Sequence, residues 1–252
     1  MLAKSRSYSI HFEVEGEGEP LVLLHGFTMW AELWNERGYV DQLAARFTTI
    51  RIDLLGHGAS DKPHSADAYG LPNLAADVVA VLDAVAAQKA HVWGYSMGAA
   101  VAEALTVLHP QRVTSLTFGG NAPGLSTELR AMVGRPGEEA AAAGNWDALL
   151  VPGLPEEVRP QYIRINDPLA LAAFAGASYA WACTPAELQA TGIPTLVYVG
   201  DQEWFLDYAS SQASDAGATF ITVPGDHRLA FARAPEVIPE ILPHLDAAEE
   251  SS

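Results

Sequence analysis

Ser96 stands between two glycines in HVWGYSMGAA, where a short apolar run ends and an Ala- and Leu-rich run begins. A strand that turns into a helix within five residues leaves little room for side chains, and G-x-S-x-G supplies none at its two tightest positions. Such a turn forces the serine into a strained backbone conformation and lifts it clear of the sheet, its hydroxyl near the positive end of the helix that follows. The pattern therefore demands a strand before Ser96, a helix after it and a sheet around both.

The neighbouring runs supply that sheet. LVLLHG from Leu21, TTIRID from Thr48 and HVWGYS from His91 are bounded by Gly, Pro or polar residues and read as buried parallel strands. In NLAADVVAVLDAVAAQ, Leu74, Val78, Val81, Leu82 and Val85 recur at helical spacing, which marks a crossover helix. GAAVAEALTVLHP reads as the helix after the serine, stopped near Pro110, and SLTFGG from Ser115 as the next strand. The rhythm resumes with TLVYVG from Thr195 and TFITVPG from Thr219. The expectation is an α/β fold, a mostly parallel sheet with helices on both faces. YSIHFEV and its GEGE turn suit an antiparallel edge hairpin.

Residues 123–185 break the rhythm with Pro and Gly at 134–137, at 152–155 and at Pro160, separated by short Ala-rich stretches. About 60 residues with so little apolar content do not hold a core alone. This segment reads as a small helical cap inserted within a single domain, 1–252. In APEVIPEILPHLDAAEE, Pro239 and Pro243 each lack an N–H donor, and an interior helical proline costs about 3 kcal/mol. The last helix is expected to be kinked or broken, with a frayed acidic tail from about Ala247.

Charge narrows the partners. Fourteen Lys and Arg against 31 Asp and Glu give a net charge of −17, which repels phosphate backbones and anionic lipids. Neither nucleic acid nor a membrane surface is an expected partner. No segment offers about 18 uninterrupted apolar residues, and the amino terminus lacks the apolar core of a secretion signal, so the expected location is cytoplasmic. Cys183 is the only cysteine; it excludes an intrachain disulfide or thiolate metal cluster and reads as a packing residue.

Four landmarks carry a resemblance that runs over nearly all of the chain outside residues 123–185: HGF at 25–27, DLLGHGASD at 53–61, GYSMG at 94–98 and GDH at 225–227. In order and approximate spacing they resemble the α/β-hydrolase fold superfamily, in its serine hydrolase, carboxylesterase-like branch. A serine hydroxyl is a weak nucleophile and needs a base; His227, after a late strand and the turn VPGD, stands where the family's order Ser, acid, His puts one. The resemblance assigns the oxyanion donors to the backbone N–H groups of Phe27 and Met97. It gives His25, Asp53 and His57 a scaffold role; His64, His91, His109 and His244 read as surface or capping residues, the ordinary place of a single histidine.

The acid departs from the family's usual pattern. After TLVYV comes GDQEW, whereas the family most often shows a catalytic aspartate three residues after the glycine. That position is Glu203. Asp201 is the rival, the right residue type one step past the glycine, with Asp207 more distant. Spacing favours Glu203, and Asn121, at the alternative site after the preceding strand, carries no charge.

The resemblance implies hydrolysis of an ester through an acyl-enzyme on Ser96, with no metal and no cofactor, and a small-molecule ester or lactone as the substrate. Lactone cleavage, peracid formation and carbon–carbon bond hydrolysis stand beside it, and a small-molecule sensor with little turnover is the alternative of another class. Trp30, Tyr95, Trp146 and Trp204 are the candidate substrate contacts, within an aromatic-rich set that includes Phe27, Met29, Trp34, Phe174, Tyr179 and Trp181. Together they suggest a small, apolar acyl site.

Overall fold

The structure, a computed structural model, describes residues 1–149, 155–177 and 183–249. Among these, β1 (Leu2–Ser5), β2 (Tyr8–Glu15), β3 (Glu19–Leu24), β4 (Phe47–Ile52), β5 (Ala90–Tyr95), β6 (Val113–Gly119), β7 (Thr195–Gly200) and β8 (Thr219–Val223) form one sheet. Their order is β1-β2-β4-β3-β5-β6-β7-β8. The strands from β3 to β8 pair in parallel, while β2 runs antiparallel to both β1 and β4. Every residue of β5, β6 and β7 is buried, as befits strands covered by helices on both faces.

Alternation along each strand divides the core in two. Val22 and Leu24 of β3 face the layer that holds Leu74, Val78 and Val81 of the crossover helix Leu71–Ala84. Leu21 and Leu23 face the other layer, with Trp34, Trp93 and the carboxyl-terminal helix. The helix Met97–Leu108, which follows Ser96, packs against the crossover helix on the first face.

Three local expectations are corrected. The edge hairpin is β1–β2, closed at Arg6 and Ser7 with Ser5 opposite Tyr8, and not by the GEGE turn. Arg6 takes the positive φ (53°) that a tight turn requires. The GEGE stretch instead carries the chain across β4 to β3; a Cβ on Gly16 would lie 2.4 Å from the Phe47 carbonyl oxygen. Second, the helix Thr127–Ala142 runs unbroken through Gly134, Pro136 and Gly137, where short pieces were expected. Ser126 caps its start by accepting from the Leu129 N–H, and Ala140 and Ala141 pack on Leu171 of the helix Pro168–Ala177.

The third correction concerns the expected break at the carboxyl end: the helix Ala234–Glu249 runs on through Pro239 and Pro243. Ala234, Val237, Ile238, Ile241, Leu245 and Ala248 are buried along one face, whereas both prolines are exposed. The carbonyls that lose an intrahelical donor therefore lie on the water side, and tertiary packing overrides the local cost. The helix also continues past Ala247, where fraying was expected.

Candidate active site

Ser96 occupies the turn between β5 and the helix Met97–Leu108 with φ 53° and ψ −112°. A non-glycine residue held there costs on the order of 1–3 kcal/mol, so its surroundings must enforce it. They do so on both sides. The Ser96 N–H donates to the Gly119 carbonyl at 2.7 Å, and the Asn121 side-chain amide donates to the Ser96 carbonyl at 2.9 Å. The two glycines are sterically obligatory: a Cβ on Gly94 would lie 2.4 Å from the Gly98 carbonyl oxygen, and one on Gly98 2.2 Å from that of Leu24.

His227 opens the short helix His227–Ala232 beyond β8, and its Nε2 lies 3.0 Å from Ser96 Oγ. Its Nδ1 lies 2.6 Å from Glu203 Oε1, on the loop after β7. Glu203 accepts from Nδ1–H, which leaves Nε2 as the acceptor for the serine hydroxyl. The Glu203 side chain is only 4% exposed, against 38% for His227, so the ion pair that forms when the imidazole gains a proton is shielded from water on the carboxylate side. Asp201, the rival acid, accepts from the Gly225 N–H at 2.8 Å and so ties the β7 loop to the turn before His227. Asp226 caps the His227 helix by accepting from the Leu229 N–H at 2.8 Å.

The backbone N–H groups of Phe27 and Met97 have no acceptor among the described residues, and both residues line the cavity beside Ser96. Met97 is the first residue of its helix, where an N–H has no intrahelical partner. His25 is fully buried, its Nδ1 donating to the Gly26 carbonyl at 2.8 Å and its Nε2 accepting from the Leu54 N–H at 3.1 Å. Burial lowers its pKa. Asp53 accepts from the Ala31 and Ala59 N–H groups and pairs with His11. Burial opposes ionisation of Asp53, but these hydrogen bonds and the nearby His25 outweigh it and its pKa falls. His57 is fully enclosed, and burial followed by the neighbouring His25 pushes its pKa down to about 3. None of the three contacts Ser96 through a hydrogen bond.

Ser96, Glu203 and His227 line a cavity of about 880 Å³. Leu71, Met97 and Ala100 line it, together with Leu129 and Phe174 from the helices between β6 and β7. Trp204 stands at the cavity and is 73% exposed. The other three candidate substrate contacts lie elsewhere. Trp30 is buried edge-on to Tyr162 at 4.8 Å, and Trp146 packs between two apolar clusters. Tyr95 is buried, 2% exposed, with its hydroxyl donating to the His227 carbonyl. Each satisfies its apolar surface in the core, the commoner fate of a large aromatic. Tyr179 and Trp181 lie outside the described residues. Leu71, Leu125 and Phe205 line the cavity without having been singled out; Phe205 and Trp204 adjoin Glu203, and that adjacency was the available signal.

The remaining histidines are held structurally. His64 meets Asp167 at 2.9 Å, His91 meets Ser115 at 2.8 Å, and His244 meets the Leu116 carbonyl at 3.2 Å; His109 ends the helix after Ser96. Cys183 is a buried thiol. Among the described residues, no group of three or more His, Cys, Asp or Glu side chains could hold a metal ion, and no helix is long and apolar enough to cross a membrane.

A parallel sheet with a strained serine after a central strand, an acid after β7 and a histidine after β8 is the arrangement of the α/β-hydrolase fold, and the chain has that fold: residues 19–142 match the alpha/beta hydrolase fold family. Among curated relatives, it is 37% identical over 115 residues to a pimeloyl-acyl-carrier-protein methyl ester esterase of Aeromonas hydrophila, covering 46% of this chain and 42% of that protein. The chain thus spans less than half the length of that relative. Among solved structures, the enol-lactonase from Burkholderia xenovorans LB400 superposes with a TM-score of 0.83 at 22% identity, over 98% of this chain and 100% of that one. A hydrolase from Pseudomonas aeruginosa PA01 superposes with a TM-score of 0.74 at 27% identity, over 93% and 95%.

Proposed function

We propose that this chain is a serine hydrolase cleaving carboxylic esters of small to medium, mainly apolar substrates through an acyl-enzyme on Ser96. The observation that carries the reading is the unbroken chain Ser96–His227–Glu203, at 3.0 Å and 2.6 Å, set at the foot of an apolar cavity. His227 Nε2 takes the hydroxyl proton as Oγ bonds to the ester carbonyl carbon, and the carbonyl electrons move onto oxygen. The Phe27 and Met97 N–H groups meet that oxyanion; such a donor is worth about 3–4 kcal/mol. Collapse expels the alcohol, which leaves with the proton from His227. Water, deprotonated by the same nitrogen, then attacks the acyl-enzyme and releases the acid with Ser96 restored. Glu203 holds Nδ1–H throughout and balances the imidazolium.

A lactone is an ester whose leaving alcohol stays attached, so the same steps open the ring. The full-length likeness to an enol-lactonase favours including lactones in the substrate class. The test is a screen of p-nitrophenyl esters and lactones ordered by acyl length, run with wild type and Ser96→Ala. The expected result is a maximum on short to medium uncharged chains and a loss of about a million-fold in kcat for the variant. A Ser96→Ala protein that keeps more than a few per cent of activity would overturn the reading. So would a wild type that binds such ligands yet turns each over once, slowly; that behaviour belongs to a sensor.

A further inference from the structure

The base reaches the nucleophile across the sheet. Ser96 follows β5 and His227 follows β8, and β6 and β7 lie between those strands. No strand pairing joins β5 directly to β8. Two hydrogen bonds span that gap directly: His227 Nε2 to Ser96 Oγ, which the reaction itself must break and remake, and the Tyr95 hydroxyl to the His227 carbonyl oxygen. Tyr95 is the last residue of β5 and the one immediately before Ser96.

We infer that Tyr95 is a positioning residue that fixes the backbone of His227 relative to the nucleophile turn, so that Nε2 returns to Ser96 Oγ in each half-reaction. The role rests on the hydrolase reading above. The ring is clamped where the role needs it. It lies 5.4 Å from the His227 ring and 5.0 Å from that of Phe231, on the same short helix. Gly120 leaves the space it occupies: a Cβ there would stand 2.7 Å from Tyr95 Cζ. Burial first, and then Tyr198, Glu203 and Asp226, hold the phenol well above its ordinary pKa, so it remains a neutral donor. The residue is 2% exposed and does not line the cavity, so its hydroxyl acts through His227 and not on substrate.

Tyr95→Phe keeps the ring and removes the donor. On p-nitrophenyl butyrate, kcat is expected to fall about tenfold or more while KM stays within about twofold, as follows when the lost contact serves the base and not substrate binding. Labelling of Ser96 by a fluorophosphonate should slow in parallel. Tyr198→Phe is the control: that hydroxyl is also buried and accepts from the Trp93 indole N–H at 3.1 Å, but it does not reach His227. It should leave both readouts within about twofold. Wild-type kcat and labelling in Tyr95→Phe would overturn the inference, as would an equal loss in Tyr198→Phe. If Tyr95→Phe does not fold, Gly120→Ala decides, because its methyl displaces the ring; reduced kcat at constant KM supports the role and unchanged kcat refutes it. If wild type hydrolyses no ester, the hydrolase reading fails by itself, and the labelling rates still judge Tyr95.

Discussion

Glu203 and His227 are 24 residues apart in the chain and 2.6 Å apart in space, while Asp201, two residues earlier, spends its carboxylate on the Gly225 N–H. The extra methylene of glutamate lets the acid reach the imidazole from the third position after Gly200. Glu203→Gln should therefore lower kcat by about four orders of magnitude, the scale seen when a triad acid becomes an amide. Asp201→Asn should cost less than about tenfold. Parallel assays of the two folded variants on one ester decide between them; the reverse order of losses would move the acid to Asp201.

Charge on the substrate should matter as much as its length. The ionisable side chains lining the cavity are Glu203, Asp207, Tyr208 and His227, and among the described residues no Lys or Arg lines it. A carboxylate entering there loses water without finding a partner. The dimethyl ester of a medium-length diacid should have a kcat/KM at least about tenfold above that of its monomethyl ester at neutral pH. Asp207→Asn should narrow the gap. Equal rates would show that the anion finds compensation.

Two buried histidines set an acid limit on stability. His57 is held to about pH 3, by burial and then His25, and His91 to about pH 4, by burial and then His244 and Lys89; both are 6.5 when unperturbed. In the unfolded chain they gain protons near 6.5, but in the folded chain they stay neutral until far lower pH. Unfolding therefore takes up protons between these values, and stability falls as pH drops below about 6.5. Each histidine can contribute a slope of up to about 1.4 kcal/mol per pH unit. Denaturant melts from pH 8 to pH 4.5 should be flat at first and then decline, less steeply in His91→Gln. Constant stability over that range would contradict the burial argument.

Pro239 is tolerated, not required. It sits on the exposed face of an unbroken helix, so Pro239→Ala should restore a backbone hydrogen bond and helix propensity. Greater freedom of the unfolded chain offsets part of that gain. A net stabilisation of about 1–2 kcal/mol is expected, read as a rise of a few degrees in Tm. A fall in Tm would mean that the ring contributes packing that its exposure conceals.

Much of the frame could be read from residue order because buried parallel strands announce themselves as apolar runs, and because the turn at Ser96 needs glycine at Gly94 and Gly98 for steric reasons. The position of Glu203 was accessible for a similar reason, since a count from Gly200 is preserved when the loop folds. What escaped were decisions made by tertiary contact. Whether Tyr95 or Trp30 faces a cavity or the core depends on partners such as Phe231 and Tyr162, which are remote in the chain. The unbroken helix at Pro239 depends on the buried row from Val237 to Ala248. The hairpin turn moved because Arg6 accepts a positive φ that residue type alone would have assigned to the glycines of GEGE.

The helices that carry Leu129 and Phe174 to the cavity all belong to one excursion, which leaves the sheet after Gly119 and rejoins it at Thr195. Ser96 and Glu203, on turns, and His227, at the start of a short helix, lie outside that excursion. On the proposed reading, the reacting groups and part of the cavity wall are thus carried by the sheet's own turns and helices, while the rest of the wall is carried by a separate stretch of chain. A graft that swaps residues 123–185 for the corresponding stretch of another protein of this fold could redraw which acyl group fits while the serine, imidazole and carboxylate keep their distances. On that reading, part of the selectivity can drift along one continuous piece of chain without moving the residues that react.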